Sequence, residues 1–177
     1  MNTQNLNQLI LYTAFCCMTS DGDIDEREVM LIKSMCEKSH LFENFDIQKE
    51  LNLLIDKINV EGKKFFLDYF DLLKNTELSE EDELTLIDFA IQTIWADEIV
   101  LYSEIKFFKN IRYRLNVSDE KILERFADIP DIELFLGQDI ITDSFLDTIS
   151  NLYLESVELP KFELINIVTT EKNETEN

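Results

Sequence analysis

Apolar residues recur along this chain at intervals of three and four, which is the spacing of one face of an α-helix. The first such stretch runs from Leu6 to Cys17 and stops at a turn-forming Ser-Asp-Gly-Asp cluster. Six further stretches continue the pattern to about residue 126, and a last one covers Ile141 to Leu154. The chain has only 3 Gly and 2 Pro in 177 residues, which favours long helices over many tight turns. We therefore expect an all-α fold, a helical bundle of about seven to eight helices.

Three of the predicted helices begin at recognisable capping residues. Asp25 and Glu28 have the spacing of a capping box, and so do Ser79 and Asp82. Ser118 is a good N-cap for the seventh helix. These signals predict the starts of the second, fifth and seventh helices.

The pattern is less regular near the C-terminus. Residues 157–168 are apolar and β-branched but contain Pro160, so both a strand and a short helix are consistent with them. The charged and amide-rich residues 171–177 are expected to be disordered. We divide the chain into a helical bundle over residues 1–127 and a C-terminal extension over residues 128–177 that ends in a disordered acidic tail.

Two stretches of the chain match each other without a gap, residues 14–28 and residues 90–104. Ala14 aligns with Ala90, Asp21 with Asp97, Ile24 with Val100, and Glu28 with Glu104. Each stretch predicts a helix, an acidic turn, a β-branched residue, and a second helix whose first turn holds a glutamate. We call the turns the first elbow (residues 20–25) and the second elbow (residues 96–101). The bundle is thus expected to contain two related helical hairpins, whose elbows either meet or lie at opposite ends.

The charge balance restricts the partners. The chain has 37 acidic and 16 basic residues and a net charge of −21. So negative a surface repels the phosphates of nucleic acids and of anionic membranes. Cations and basic protein surfaces are the complementary ligands, and solubility alone is the alternative explanation.

Other features bear on location and chemistry. Cys16, Cys17 and Cys36 have neither a disulfide nor a zinc-binding spacing, which is typical of buried thiols in a reducing compartment. The polar N-terminus is unlike a signal peptide, and no apolar run approaches the roughly 20 residues of a membrane span. We expect a cytoplasmic protein that does not insert into membranes. The single histidine, His40, has no evident catalytic partner, so we also expect a protein that is not an enzyme.

The elbows are the candidate site. Carboxylate clusters suit hard cations, so a divalent cation (Ca²⁺ or Mg²⁺) is one interpretation, and helix capping alone is the other. Capping explains the second elbow less well, because Leu101 takes the place of Asp25. The first elbow is not an EF-hand, since Ile32 stands where that loop needs its twelfth-position glutamate. The candidate metal ligands are Asp21, Asp23, Asp25, Glu28, Asp97 and Glu104.

The run Asp-Gly-Asp-Ile-Asp-Glu-Arg-Glu over residues 21–28 resembles the signature of the TerB-like family, named for bacterial tellurite resistance. Asp97, Val100 and Glu104 resemble the second half of that signature, and the resemblance covers residues 6–127. It implies an all-helical bundle in which the duplicated acidic turns form a metal-associated centre, and a role in stress response. Glu98 stands where the family usually has glycine, so the second elbow is expected to differ in shape from the first.

Three hypotheses of function follow. The leading one is a non-enzymatic, TerB-like stress-response module that binds a divalent cation at the duplicated acidic turns. The alternative is an acidic adaptor that docks a basic partner protein without metal. A metal-dependent hydrolase is the third, and it is the weakest because no further His, Cys or Lys completes a site. A protein partner is expected, but the sequence identifies neither that partner nor the oligomeric state.

Overall fold

The computed structural model describes residues 3–39, 42, 45–96, 99–136 and 159–166. Within these ranges the chain forms seven α-helices and a short 3₁₀ turn, with no strand, which confirms the predicted all-α helical bundle. The helices are α1 (Thr3–Met18), α2 (Glu26–Lys38), α3 (Ile47–Glu61), α4 (Lys64–Lys74), α5 (Glu80–Ile94), α6 (Tyr102–Arg112) and α7 (Asp119–Arg125), and the 3₁₀ turn is Ile132–Phe135.

Helix α1 is the central helix of the bundle. Every residue from Leu9 to Ser20 is buried, so this helix lacks a polar face over most of its length. It contacts α2, α3, α4, α5 and α6. Its most extensive neighbour is α5, the equivalent helix of the second repeat. The internal repeat seen in the sequence is therefore also a repeat in packing.

The two related hairpins pack around this α1–α5 pair. Helix α1 leads through the first elbow into α2, and α5 leads through the second elbow into α6. Each second helix contacts the first helix of its own hairpin and also that of the other. The aligned residues Ala14 and Ala90 are both fully buried. This reciprocal arrangement is what a pseudo-twofold relation between two hairpins requires.

An aromatic cluster fills the core between α1, α4 and α6. Phe65, Phe66, Tyr69 and Phe70 on α4 are all buried, and Phe107 of α6 lies 5.4–6.1 Å from three of their rings, measured between centroids. The hydroxyl of Tyr69 hydrogen-bonds Thr13 Oγ1 at 2.8 Å, so its polar end is satisfied inside the core. The phenylalanine-rich stripe of α4 is thus core and not an exposed groove.

The described parts of the C-terminal extension pack on the bundle. The 3₁₀ turn packs against α6, and the rings of Phe135 and Phe108 meet edge to face at 5.1 Å. Residues 159–166 are extended without forming a strand ladder and lie along α3, so neither the strand nor the short helix predicted for this region is present. The predicted helix over Ile141 to Leu154 and the predicted disordered tail lie outside the described residues.

In the described ranges, no helix has both the length and the apolar character that crossing a bilayer requires.

Candidate functional site

The first elbow is a tight turn shaped by aspartate and glycine. The Asp21 side chain accepts a hydrogen bond from the Asp23 amide at 2.9 Å, and Asp23 accepts one from the Ile24 amide at 2.9 Å. Gly22 between them has a φ of 93°, a value that residues with a Cβ rarely adopt. Ile24 then turns inward and packs against the core. The elbow thus holds its shape through local polar contacts and one apolar anchor.

Helix α2 begins with a complete capping arrangement, as predicted. The Asp25 carboxylate accepts a hydrogen bond from the Arg27 amide at 2.7 Å, and Glu28 Oε2 accepts one from the Asp25 amide at 3.0 Å. The Arg27 guanidinium also contacts both oxygens of Asp25, at 2.9 and 2.8 Å. These hydrogen bonds lower the pKa of Asp25 to about 2. Arg27 therefore competes with any cation for the Asp25 carboxylate.

Glu28, in the first turn of α2, is unusual because its side chain is turned inward. Only 9% of its surface is exposed. Burial is the largest influence on this carboxyl and raises its pKa to about 9, although the hydrogen bond from the Asp25 amide acts in the opposite direction. The nearby charges of Asp21, Glu104 and Asp25 also contribute to this raised pKa. Glu28 is therefore protonated at neutral pH in the structure.

The second elbow repeats the buried glutamate without the aspartate cap. Glu104 Oε2 accepts a hydrogen bond from the Leu101 amide at 2.6 Å, the same bond that Glu28 makes in the first elbow. Leu101 offers no side-chain acceptor, so only this half of the box is present. Glu104 is 5% exposed, and Val100 packs on the core as its counterpart Ile24 does. A buried glutamate in the first turn of the second helix is thus common to both hairpins.

The fold brings the two glutamates into one electrostatic environment. Glu104 acts on the Glu28 carboxyl, and both carboxyls raise the pKa of the buried Cys17 thiol. The starts of α2 and α6 therefore lie on the same side of the bundle, near the C-terminal end of α1. Glu28, Glu104 and Cys17 form what we call the elbow centre.

The remaining predicted ligands surround this centre unequally. Asp21 and Asp23 are exposed at its edge, and Asp25 is paired with Arg27. Asp97 lies outside the described residues. Among the residues whose placement is described, no group of three or more His, Cys, Asp or Glu is arranged to hold a metal ion. The pair of buried glutamates is thus the core of the candidate site, and it contributes two of the oxygen ligands that a cation needs.

Two polar features escaped the sequence analysis. Glu83, in the first turn of α5, is 3% exposed and accepts hydrogen bonds from the loop between α6 and α7. Its position four residues before Ile87 continues the apolar stripe of α5, and this was the available signal. Asn52 and Asn59 of α3 bind the backbone of residues 159–166. Nothing in the periodicity of α3 distinguishes these two asparagines from other polar residues.

The three thiols are expected to be unreactive in the folded protein. Cys16 and Cys17 are fully buried, burial raises the pKa of both, and the pKa of Cys36 is raised to about 12 by its own burial and by Glu37. The thiolate is the reactive form, so a neutral thiol-specific reagent should label the native chain only as fast as the bundle opens. We expect the thiols to be labelled in urea but not in buffer, and mass spectrometry measures the labelling. Rapid labelling of Cys17 in buffer would contradict the buried elbow centre.

Comparison of this chain with family models, with curated proteins and with solved structures finds no match in any of the three.

Proposed function

We propose that this chain is a non-enzymatic helical module that binds a divalent cation between its two elbows. Glu28 and Glu104 are the central ligands of the proposed site, and Asp21, Asp23 and Asp97 are its further ligands. The observation that carries the proposal is the pair of matched, buried glutamates in one electrostatic environment. The resemblance to the TerB-like family supports both a metal-associated centre and a role in stress response.

The electrostatics of the elbow centre favour a cation. The charges that act most strongly on Glu28 are those of three carboxylates, so ionising this group without a counter-charge is costly. A divalent cation would offset the mutual repulsion of Glu28 and Glu104 and would take the place of the Glu28 proton. Each glutamate accepts a hydrogen bond from a backbone amide through Oε2. The proposed set omits Asp25, because Arg27 already neutralises that carboxylate.

Binding without catalysis is the function class that fits these contacts. The two glutamates are nearly completely buried and help to start α2 and α6, so a substrate has little access to them. The thiol beside them has a raised pKa, which is the wrong direction for a nucleophile. A bound ion here would stabilise the junction of the two hairpins.

Titration of the chelator-treated protein with Ca²⁺, Mg²⁺, Mn²⁺ and Zn²⁺ tests the proposal. We expect saturable binding, release of about one proton per ion at neutral pH, and a raised melting temperature, because a ligand that binds only the native state stabilises it by about 2.7 kcal/mol at 100 times its Kd. Calorimetry in two buffers of different ionisation enthalpy counts the protons. Glu28→Gln and Glu104→Gln should each weaken binding at least about tenfold, which is about 1.4 kcal/mol.

Glu26→Gln is the matched control for these variants. Glu26 lies in the same first turn of α2 and is exposed, so the substitution makes the same chemical change, Glu to Gln, without touching the elbow centre. It should bind the ion with nearly unchanged affinity. Absence of binding at millimolar ion, or equal weakening by all three variants, would reduce the elbows to helix caps.

The charge of −21 favours a second candidate, an acidic adaptor that docks a basic protein without metal. Such binding depends on long-range attraction, so it should weaken steeply between 50 and about 300 mM salt and be unaffected by chelator. A panel of basic and neutral peptides of equal length, measured in chelator at both salt concentrations, separates this function from cation binding.

A further inference from the structure

The outer face of α3 holds residues 159–166 by their backbone. Asn59 donates from Nδ2 to the Phe162 carbonyl at 2.8 Å and accepts from the Phe162 amide at 2.9 Å. Asn52 does the same for Ile165, at 3.1 and 2.8 Å. Each side-chain amide therefore pairs with both backbone groups of one residue, as a neighbouring strand would. We call this face of α3 the asparagine face.

The spacing of the two asparagines matches that of the residues they bind. Asn52 and Asn59 are seven residues apart on α3, which corresponds to about 10.5 Å along the helix. Phe162 and Ile165 are three residues apart, which corresponds to about 9–10 Å in extended chain. The segment runs antiparallel to α3, since the earlier asparagine binds the later residue. The side-chain amides of Asn52 and Asn59 are thus spaced to bind the backbone of two residues that are three positions apart in an extended chain.

The docked segment has a period of three. Leu159, Phe162 and Ile165 are half-buried and pack against the core, and the residues between them are exposed. Three residues per turn is the repeat of a polyproline II helix. The recognised pattern is therefore an apolar residue at every third position, with a backbone N–H and C=O at the last two of these positions. The asparagine face does not select the amino acids at the exposed positions of the segment.

The docking is shallow and leaves space beside it. Five of the eight residues from 159 to 166 are exposed, and hydrogen bonds at a wet surface contribute little net stability because water competes for them. A cleft of about 720 Å³ lies between the segment and the first elbow and is bordered by Ile24, Val29 and Met30. A competing peptide with larger side chains could use this cleft, and mass action could displace the resident segment.

We propose that the asparagine face is a docking site for an extended peptide with an apolar residue at every third position. Residues 159–166 occupy it in cis, and a partner protein binds by presenting such a segment in their place. The two asparagines that hold the segment belong to α3, and neither is a proposed cation ligand, so peptide binding can be measured in chelator separately from cation binding. The resident segment belongs to the same chain as α3, so its binding is intramolecular and it acts as a built-in competitor of any partner peptide.

The test uses a full-length variant in which the face is vacated. Phe162→Asp with Ile165→Asp replaces the two clamped apolar residues by charged ones and leaves α3 unchanged. A fluorescent peptide with the sequence of residues 157–168 is then titrated in chelator and followed by anisotropy. The vacated variant should bind it at least tenfold more tightly than the wild type does. Leu164→Asp with Asn166→Asp is the matched control, because it adds the same charge at exposed positions of the segment and should bind like the wild type.

Adding Asn52→Ala and Asn59→Ala to the vacated variant should abolish peptide binding. Both asparagines are half-buried and alanine is a better helix former, so the fold should persist, as circular dichroism will check. Trypsin should cut after Lys161 faster in the vacated variant than in the control. Peptide binding that does not exceed that of the wild type, or that survives loss of both asparagines, would overturn the proposal. So would a wild-type dimer that dissociates on loss of the asparagines, because the occupant would then be a second copy of this chain.

Discussion

Raising the pH from 5 to 9 is expected to lower the free energy of unfolding by up to about 5 kcal/mol through Glu28 alone, since each unit of pKa shift is worth about 1.4 kcal/mol. In the folded chain the pKa of Glu28 is about 9, and its ordinary value is 4.5. Between these values the folded state holds a proton that the unfolded state has lost. The stabilisation is therefore fully present below pH 4.5 and disappears as the pH rises through 9, the opposite of the usual behaviour of an ion-paired carboxylate.

Glu28→Gln isolates this effect from the charge of the whole chain. Glutamine copies the protonated carboxyl in shape and still accepts from the Asp25 amide, but it does not titrate. Urea unfolding of both proteins is measured at pH 5, 6, 7, 8 and 9. At each higher pH, the free energy of unfolding of the variant should rise relative to that of the wild type. The exposed Glu26→Gln should run parallel to the wild type. Parallel curves for Glu28→Gln would mean that this carboxyl is solvated and that the elbow centre is not formed.

The same experiment bears on the proposed cation. A divalent ion that replaces the Glu28 proton binds more tightly as the pH rises, because less work is then needed to remove that proton. At pH 8–9 a saturating ion should therefore restore the stability that Glu28 loses, and it should have little effect at pH 5. As the pH rises, the same carboxyl would thus lower the stability of the cation-free protein and strengthen cation binding.

The helices and their starts were predictable from local rules. The Asp25–Glu28 and Ser79–Asp82 capping boxes and the Ser118 cap are confirmed, because a cap depends only on residues within one turn. The apolar stripes of α1 and α4 identified the core for a similar reason, since a buried face must recur every three or four residues. The alignment of the two elbows also identified the two glutamates that turn inward.

The proximity of Glu28 and Glu104 was not predictable. The repeat establishes that two hairpins are alike, but it does not say which ends of α1 and α5 come together, and that depends on packing between distant side chains. The prediction of a strand or a short helix over residues 157–168 was wrong for a related reason. Its period is three, and the patterns of helices and strands have periods of 3.6 and two. Residues 159–166 are held by Asn52 and Asn59, more than 100 positions earlier in the chain, and no local pattern carries that information.

A second large effect is expected at Glu83, where Glu83→Ala should destabilise the fold by about 3–4 kcal/mol. Its carboxylate accepts from the amides of Asn116 and Val117, at 2.9 and 2.6 Å, and from the Asn116 side chain at 3.1 Å. Removing it leaves the Val117 amide without that acceptor in a buried position and frees the loop that joins α6 to α7. Hydrogen bonds to a charged group are the strong ones, at about 1.5–3 kcal/mol each.

Two further substitutions distinguish the effect of the buried Glu83 hydrogen bonds from that of an ordinary surface ion pair. Glu81→Ala, in the same first turn of α5, removes an exposed ion pair with Arg125 and should cost at most about 1 kcal/mol. Glu83→Gln keeps the shape but turns an N–H₂ group toward amide donors, so its cost should fall between the other two. Thermal unfolding at pH 7 ranks all three. If Glu83→Ala lowers stability no more than Glu81→Ala does, water replaces the carboxylate at the α6–α7 loop, and the buried clamp contributes little to holding the second hairpin in place.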